Sequence, residues 1–205
     1  MGVAVQYLLR RTDQRPALRG SWDNEPWAGA EPAKLIHFLE QSPSRHPRVE
    51  FKALYDQAGI YLFYLVQDRY VRCVRANYQE SVCKDSCVEF FVEPKAGCGY
   101  FNFEINCGGT LLLYFQEQLP DNAGYKRHKA PPELGRLAQI YHSMPQIVDP
   151  EIKEAVEWRI ECFIPVAIFE HYLGRLGPLA GQTWRANFYK CGDETSHPHW
   201  ASWAP

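Results

Sequence analysis

An antiparallel β-sandwich is the fold class this sequence predicts, and three observations predict it. Phe, Trp and Tyr make up 14% of the 205 residues, and 15 Pro and 14 Gly supply turn formers, a composition that suits short strands joined by turns. Period-two alternation of apolar and polar side chains recurs along the chain. One stretch alone carries helix boundaries, and no strand–helix repeat of the kind that builds a parallel sheet is present.

Residues up to about Pro47 read as irregular, with Pro at 26, 32, 43 and 47. Within them Ala33–Leu39 is a strand or a turn or two of helix, and Trp22 and Trp27 are expected to fold back onto the edge of the core. From Arg48 the pattern changes. VEFKALYD alternates as a strand, Asp56–Gly59 is a turn, and IYLFYLVQD is a second, more fully buried strand. Residues 69–78 read as a loop or edge strand. TLLLYFQE follows the Cys107–Gly108–Gly109 turn as a strand, and Gln118–Leu137, rich in Pro and polar residues, reads as a long surface excursion. GRLAQIYHSM and EAVEWRIECFIP resume strand patterns. Pro165 opens a short helix, VAIFEHYLG, that Gly174 stops. TWRANFYKC is the last strand, with Trp184, Ala186 and Phe188 alternating with Arg185, Asn187 and Tyr189. The whole is an all-β chain of immunoglobulin or jelly-roll type with one short helix and long surface loops. It forms a single domain over residues 1–205, with 1–47 packed on it as an irregular N-terminal part.

The centre of this plan is DSCVEFFVEPKAGCGYFNFEINCGGT, residues 85–110. Two apolar-rich runs separated by Pro94–Gly99 form a β-hairpin. Because side chains alternate across a strand, Phe101, Phe103 and Ile105 fall on one face and Asn102, Glu104 and Asn106 on the other. On the partner strand Val88, Phe90 and Val92 share a face, leaving Glu89 and Glu93 with Cys87 and Phe91 opposite. Pairing of the two strands gathers Glu89, Glu104, Asn102 and Asn106 into a polar patch. Such a patch is either the solvated side of an antiparallel sheet or a ligand site. Two carboxylates beside two carboxamides favour the ligand site, since a merely solvated face more often carries Lys and Thr.

Composition excludes several partners. A formal net charge of −2 gives no electrostatic reason to expect nucleic acid or an anionic membrane surface. No apolar run approaches membrane-spanning length, and MGVAVQYLLRRTDQ lacks the charged start and apolar run of a secretory signal. As the sequence stands this implies the cytoplasm, and a removed leader would imply a secreted or periplasmic protein. Seven cysteines, several within or beside strands, read as reduced buried thiols rather than a disulfide framework. Cys83 and Cys87 have a C-x3-C spacing, but no second pair or nearby His follows to complete a zinc site. The histidines are scattered, with none paired by motif to a Cys or Ser nucleophile.

In order, LYD, IYLFYLVQD, KDSCVEFFVEP, YFNFEINCGGTLL and WRANFYKCGD followed by SW resemble carbohydrate-binding module family 9 and its relatives in the DOMON-like superfamily, over about residues 48–205. The resemblance implies a β-sandwich that binds a small saccharide or the end of a glycan chain, often as an accessory of a glycoside hydrolase in carbohydrate breakdown. It implies that Glu89 accepts hydrogen bonds from sugar hydroxyls. It also implies two Trp that clamp the ring, and here Val82, Cys83 and Lys84 stand where the first would be. The second is expected on a strand beyond Trp203, where the chain stops, and Glu104 stands near a family Arg. Some members hold structural calcium, for which Asp56 and Asp68 are the candidate oxygen donors; no other cofactor is required. Some DOMON-like domains carry heme, but Met1 and Met144 are the only methionines and Met144 falls in a loop.

Sugar recognition needs flat apolar faces and planar polar groups that engage adjacent hydroxyls. Glu89, Asn102, Glu104, Arg185 and Asn187 are the polar candidates, with Glu89 and Arg185 expected to reach one common ligand. Tyr189 and Trp200 are the aromatic ones; Trp203 reads as core or sheet-edge packing. Two alternatives belong to other classes. Glu89 and Glu104 are formally a glycoside hydrolase pair, although nothing in the sequence marks one as the buried acid that reaction needs. A sheet face that docks on a protein partner is the other. The preferred sugar, any enzyme partner and the oligomeric state are not legible.

Overall fold

The computed structural model describes residues 5–43 and 45–205; residues 1–4, Met1 among them, and Ser44 lie outside the described residues. Short N-terminal strands β1 (Arg10–Arg11), β2 (Ala33–Lys34) and β3 (His37–Phe38) precede the long hairpin of β4 (Arg48–Tyr55) and β5 (Gly59–Asp68). Then come β6 (Val71–Cys73), β7 (Cys87–Glu93), β8 (Gly99–Asn106), β9 (Leu111–Gln118) and β10 (Tyr125–Lys129). A single turn α1 (Pro132–Gly135) leads to β11 (Gln139–His142), β12 (Val148–Ile152) and β13 (Val156–Pro165). Helix α2 (Val166–Leu173), β14 (Arg185–Cys191) and β15 (Trp200–Ser202) complete the chain.

Two sheets carry the architecture. The back sheet runs β1-β4-β5-β13-β11, with β2 also on β4, and the front sheet runs β10-β9-β8-β7-β14-β15-β3. Strands β6 and β12 form a separate ribbon. All pairings are antiparallel except β1 with β4. Alternation decides which side chains go between the sheets. Val49, Phe51 and Ala53 of β4, Ile60, Leu62, Tyr64 and Val66 of β5, and Trp158, Ile160 and Cys162 of β13 belong to one core cluster. Val88, Phe90, Val92, Phe101, Phe103 and Ile105 of the front hairpin complete it. Phe51 and Phe188 stack across the sheet gap with ring centroids 3.7 Å apart. Burying each such large side chain is worth about 1.5–3 kcal/mol over leaving it in water.

The expected turn chemistry is in place at two points. Gly97, at φ +77°, sits in the β7–β8 turn, where its N–H donates to Glu93 Oε1. Pro165 caps α2 and Gly174, at φ +69°, ends it. Three expectations are refined. The segment 118–137 lies at the surface but contains the strand β10, which pairs with β9 along its whole length. The 69–78 segment contributes β6, whose partner β12 is a strand the sequence pattern does not reveal. Ala33–Leu39 is neither one strand nor a helix but the two short pieces β2 and β3, which join different sheets.

The back sheet's outer face is roofed by the N-terminal segment. Lys52, Phe63 and Glu161 form one cross-strand rung on that face. Trp27, 2% exposed, packs on Phe63 at 5.4 Å, and Trp22 on the same ring at 5.0 Å. Glu161 accepts from Trp27 Nε1–H at 2.7 Å and Gly20 N–H at 2.8 Å. Lys52 Nζ donates to the carbonyls of Trp22 and Trp27. On the front sheet's outer face only the end beside Cys87, Leu112 and Cys191 is covered, by Val82 and Cys83, and the site lies at the edge of that cover.

Candidate functional site

Register builds the front face. Glu89 lies opposite Glu104 of β8 on one side and Tyr189 of β14 on the other, so the three form a rung. Asn102 is opposite Phe91, Cys87 is opposite both Asn106 and Cys191, and Cys191 is opposite Trp200 of β15. A cleft of about 150 Å³ opens here, lined by Cys83, Glu89, Tyr189, Cys191, Asp193 and Trp200. It is smaller than the about 300–1,000 Å³ of pockets that enclose a drug-sized ligand. It therefore fits one ring or part of one, with the remainder of a ligand resting on the sheet face.

The acidic pair is under-provided with donors. The Cys191 thiol donates to Glu89 Oε1 at 3.0 Å, and Asn102 Nδ2 reaches Glu104 Oε1 at 3.4 Å. Asn102 Oδ1 is buried with no hydrogen-bond donor. Burial, and then the neighbouring Glu104 charge, push the Glu89 carboxyl up to about 8; burial also raises Glu104. At neutral pH the Glu89 carboxyl therefore keeps its proton and offers an O–H donor, beside the acceptor oxygens of Glu104. Donor and acceptor side by side match a vicinal diol, whose hydroxyls both donate and accept.

Aromatic rings extend from this cleft across the face. Tyr189 lies 4.9 Å from Phe91, Phe91 stacks with Tyr100 at 6.0 Å, and Tyr100 meets Tyr125 edge-on at 5.1 Å. Tyr100 and Tyr125 were absent from the sequence candidates. Alternation does place Tyr100 on the face of Asn102 and Glu104, but Tyr125 needed β10 to be recognised. Trp200 is half-buried against the cluster of Val82, Cys87, Leu112 and Cys191, and its indole N–H donates to Asp193 Oδ1 at 2.8 Å. It is a cleft wall rather than an exposed platform. Trp200 is the first residue of β15, which pairs with β14 and β3. Trp203 packs on the core, edge-on to Phe51 and Phe188.

The structure places four other sets of candidates differently. Arg185 shares the face but sits opposite Glu93, to which it is ion-paired at 3.5 Å, with a side chain 86% exposed. Four residues of strand separate it from Tyr189 on Glu89's rung, about 13 Å, so one sugar ring does not touch both Glu89 and Arg185. Asn187 is engaged with the C-terminal tail through Ala204, and accepts from its own neighbour Phe188 N–H. Asn106 is fully buried and tied to Arg75, Asp85 and Thr110. Asp56 and Asp68 do not share an ion. They flank β5, about 30 Å apart along the strand. Asp56 accepts from Ala58, Gly59, Tyr61 and Arg15, and Asp68 pairs with the fully buried Lys190 at 3.2 Å.

The donor set that comes together is a different one. Cys87, Glu89 and Cys191 hold ligand atoms within 4.8 Å of one another, a grouping that suits a thiophilic cation. The C-x3-C spacing missed it because Cys191 arrives from β14. Burial lifts the Cys87 thiol to about 12, so a cation binding there displaces protons. Met144 lies in the bend after β11, partly buried against the core.

Comparison with known proteins agrees with this geometry. The family model for carbohydrate-binding family 9 matches residues 32–205. A solved structure from Bacteroides uniformis ATCC 8492, provisionally assigned as a carbohydrate-binding protein, is 30% identical with a TM-score of 0.83, covering 96% of this chain and 88% of its own. A family 9 module from Caldicellulosiruptor kristjanssonii in complex with cellotriose superposes with a TM-score of 0.60 at 10% identity, covering 97% and 84%. The glucose complex of a family 9 module from the same organism gives 0.56 at 11% identity, with the same coverage. No curated protein matches the chain. The family model spans most of the chain, which therefore belongs to carbohydrate-binding family 9.

Proposed function

We propose that this chain is a non-catalytic carbohydrate-binding module that holds a saccharide on the open face of its front sheet, anchored in the cleft beside Glu89. The observation that carries the reading is the rung of Glu104, Glu89 and Tyr189 with Asn102 beside it. These polar groups are buried or half-buried and lack a full set of partners, and Glu89 and Tyr189 line a cleft walled on another side by Trp200. A buried polar group without a partner costs about 1–3 kcal/mol. Sugar hydroxyls recover that cost, while Tyr189 and Trp200 take the C–H faces of the ring. The glucose and cellotriose held by structural neighbours make neutral glucans the first ligands to try. A role as an accessory to glycoside hydrolysis belongs to the same reading.

Isothermal titration of glucose and cellotriose into the wild type and Glu89→Gln tests it. Binding that weakens about ten-fold in the variant supports the site, because a hydrogen bond between neutral groups is worth about 0.5–1.5 kcal/mol and Gln keeps the carbonyl but not the O–H donor. Equal binding by both proteins, or none by either, refutes it.

A second reading, glycoside hydrolysis by Glu89 and Glu104, has one observation in its favour: the raised Glu89 carboxyl is the kind of acid that reaction uses. Geometry weighs against it. Hydrolysis places its carboxyls on either side of the scissile bond, whereas directly opposed residues on neighbouring strands project from one face in the same direction. Turnover of a chromogenic glycoside, abolished in Glu89→Gln, would establish it.

A further inference from the structure

A larger cavity, about 400 Å³, lies where β5 ends and β13 begins, and it shares no lining residue with the Glu89 cleft. Its electrostatics are one-sided. Arg45, Arg48 and Arg69 line it, and among the described residues none of the three is ion-paired with a carboxylate. Arginines elsewhere do have such partners, among them Arg10, Arg75 and Arg185. The two acids in the lining are already committed. Asp68 lies 3.2 Å from Lys190 Nζ, and Glu157 lies 2.6 Å from Arg159. The cavity thus carries three guanidinium groups that form no ion pair among the described residues.

Its walls suit a ring. Tyr70 and His197 stack with centroids 3.6 Å apart and planes 16° from parallel, a flat surface beside the guanidiniums. At the floor His199, 3% exposed, meets Lys190 Nζ at 2.6 Å, and Lys190 is itself paired with Asp68. Guanidinium forks match planar carboxylates in two-point fashion, and a flat aromatic wall takes the C–H face of a pyranose. A neutral sugar uses the wall but leaves the guanidiniums unmatched.

We propose that this cavity is a second ligand site, for the carboxylate-bearing ring of an acidic saccharide such as a uronic acid. The anion preference stands on the unpaired guanidiniums alone. The choice of a sugar as the carrier rests on the function proposed above. One chain thereby holds a neutral ring on the front sheet and an acidic ring at the end of the back sheet.

Titration calorimetry with glucuronate, glucose and inorganic phosphate separates the two sites. The wild type, the double variant Arg45→Met/Arg48→Met and Glu89→Gln are compared. Both arginines are exposed and bond to no carboxylate, so the double variant is expected to melt with the wild type. Glucuronate is expected to bind the wild type, to lose about ten-fold in affinity in the arginine variant, and to be unaffected by Glu89→Gln. Its binding should also weaken with added salt, since these charges face solvent. The proposal is overturned if glucuronate fails to bind, binds the arginine variant equally well, or depends on Glu89. Phosphate binding as tightly as glucuronate overturns the saccharide assignment. Glucose binding that depends on Glu89, without any glucuronate binding, leaves the front site standing and removes this one. Arginine-dependent glucuronate binding with Glu89-independent glucose binding does the reverse.

Discussion

The two outer faces of the sandwich carry matching rungs with opposite provisions. On the back sheet, Lys52, Phe63 and Glu161 are covered by Trp22 and Trp27, and both Glu161 oxygens accept N–H groups from the covering segment. On the front sheet, Glu104 is buried and Glu89 half-buried, but each has a single weak donor, the Asn102 amide at 3.4 Å and the Cys191 thiol at 3.0 Å, and a second carboxyl for a neighbour. The chain fills both oxygens of the back-sheet carboxylate and leaves acceptor capacity on the front pair. Buried acids with every oxygen filled by the chain belong to the fold; paired acids with one weak donor each point to a ligand.

The sharpest way to break this contrast is to remove the roof. Trp27→Ala deletes a fully buried indole and strands Glu161, and is expected to destabilise by about 3–5 kcal/mol in urea unfolding, without altering saccharide affinity. If affinity falls in parallel with stability, the faces are not independent. On the front sheet the order inverts. Glu89→Gln is expected to leave the melting temperature unchanged or raise it, because it removes a like-charge neighbour, while saccharide affinity drops about ten-fold or more.

Titration sharpens the contrast by a smaller margin. The folded-state pKa of Glu89 stands above the usual carboxylate value, through burial first and the Glu104 charge second. Folded protein then holds a proton that the unfolded chain has released, so this group's contribution is full at the acid end and declines as pH rises toward about 8. Urea midpoints measured from about pH 5 to about pH 8.5 should fall for the wild type and fall less for Glu89→Gln. Parallel profiles would mean that the folded protein does not hold the Glu89 carboxyl above the usual carboxylate range.

Local pattern made part of this legible. The hairpin of β7 and β8, its core-facing Phe90, Phe101 and Phe103, and the pairing of Glu89 with Glu104 all follow from alternation across one short turn. Distant register did not follow. Cys191 meets Cys87, and Arg185 meets Glu93 rather than Glu89, only because β14 docks on β7 in one register, which no short-range spacing encodes. Strand β10 was hidden for another reason. Its YKRHK sequence is that of a charged edge strand, whose Lys and Arg blunt an open sheet edge and erase the apolar alternation that marks inner strands. Lys190 reads as a surface residue from its type, yet it is fully buried because Asp68 and His199 receive its charge.

The smallest expected effect tests the register itself. Arg185 and Glu89 share a face, so a reading from alternation alone assigns both to one ligand, whereas the structure puts them about four residues apart along the sheet. Its side chain is exposed and its ion pair with Glu93 lies at the surface, where such pairs contribute about 0–1 kcal/mol. Arg185→Ala should therefore change stability by no more than about 0.5 kcal/mol and glucose affinity by less than about two-fold. Cellotriose is the more demanding ligand for this variant, because three linked rings extend well beyond the cleft. If it loses affinity where glucose does not, the chain end sits at Glu89 and the following rings run down β14 toward Glu93. If neither sugar responds, they lie on the other side of β7, across Phe91 and Tyr100 toward Tyr125.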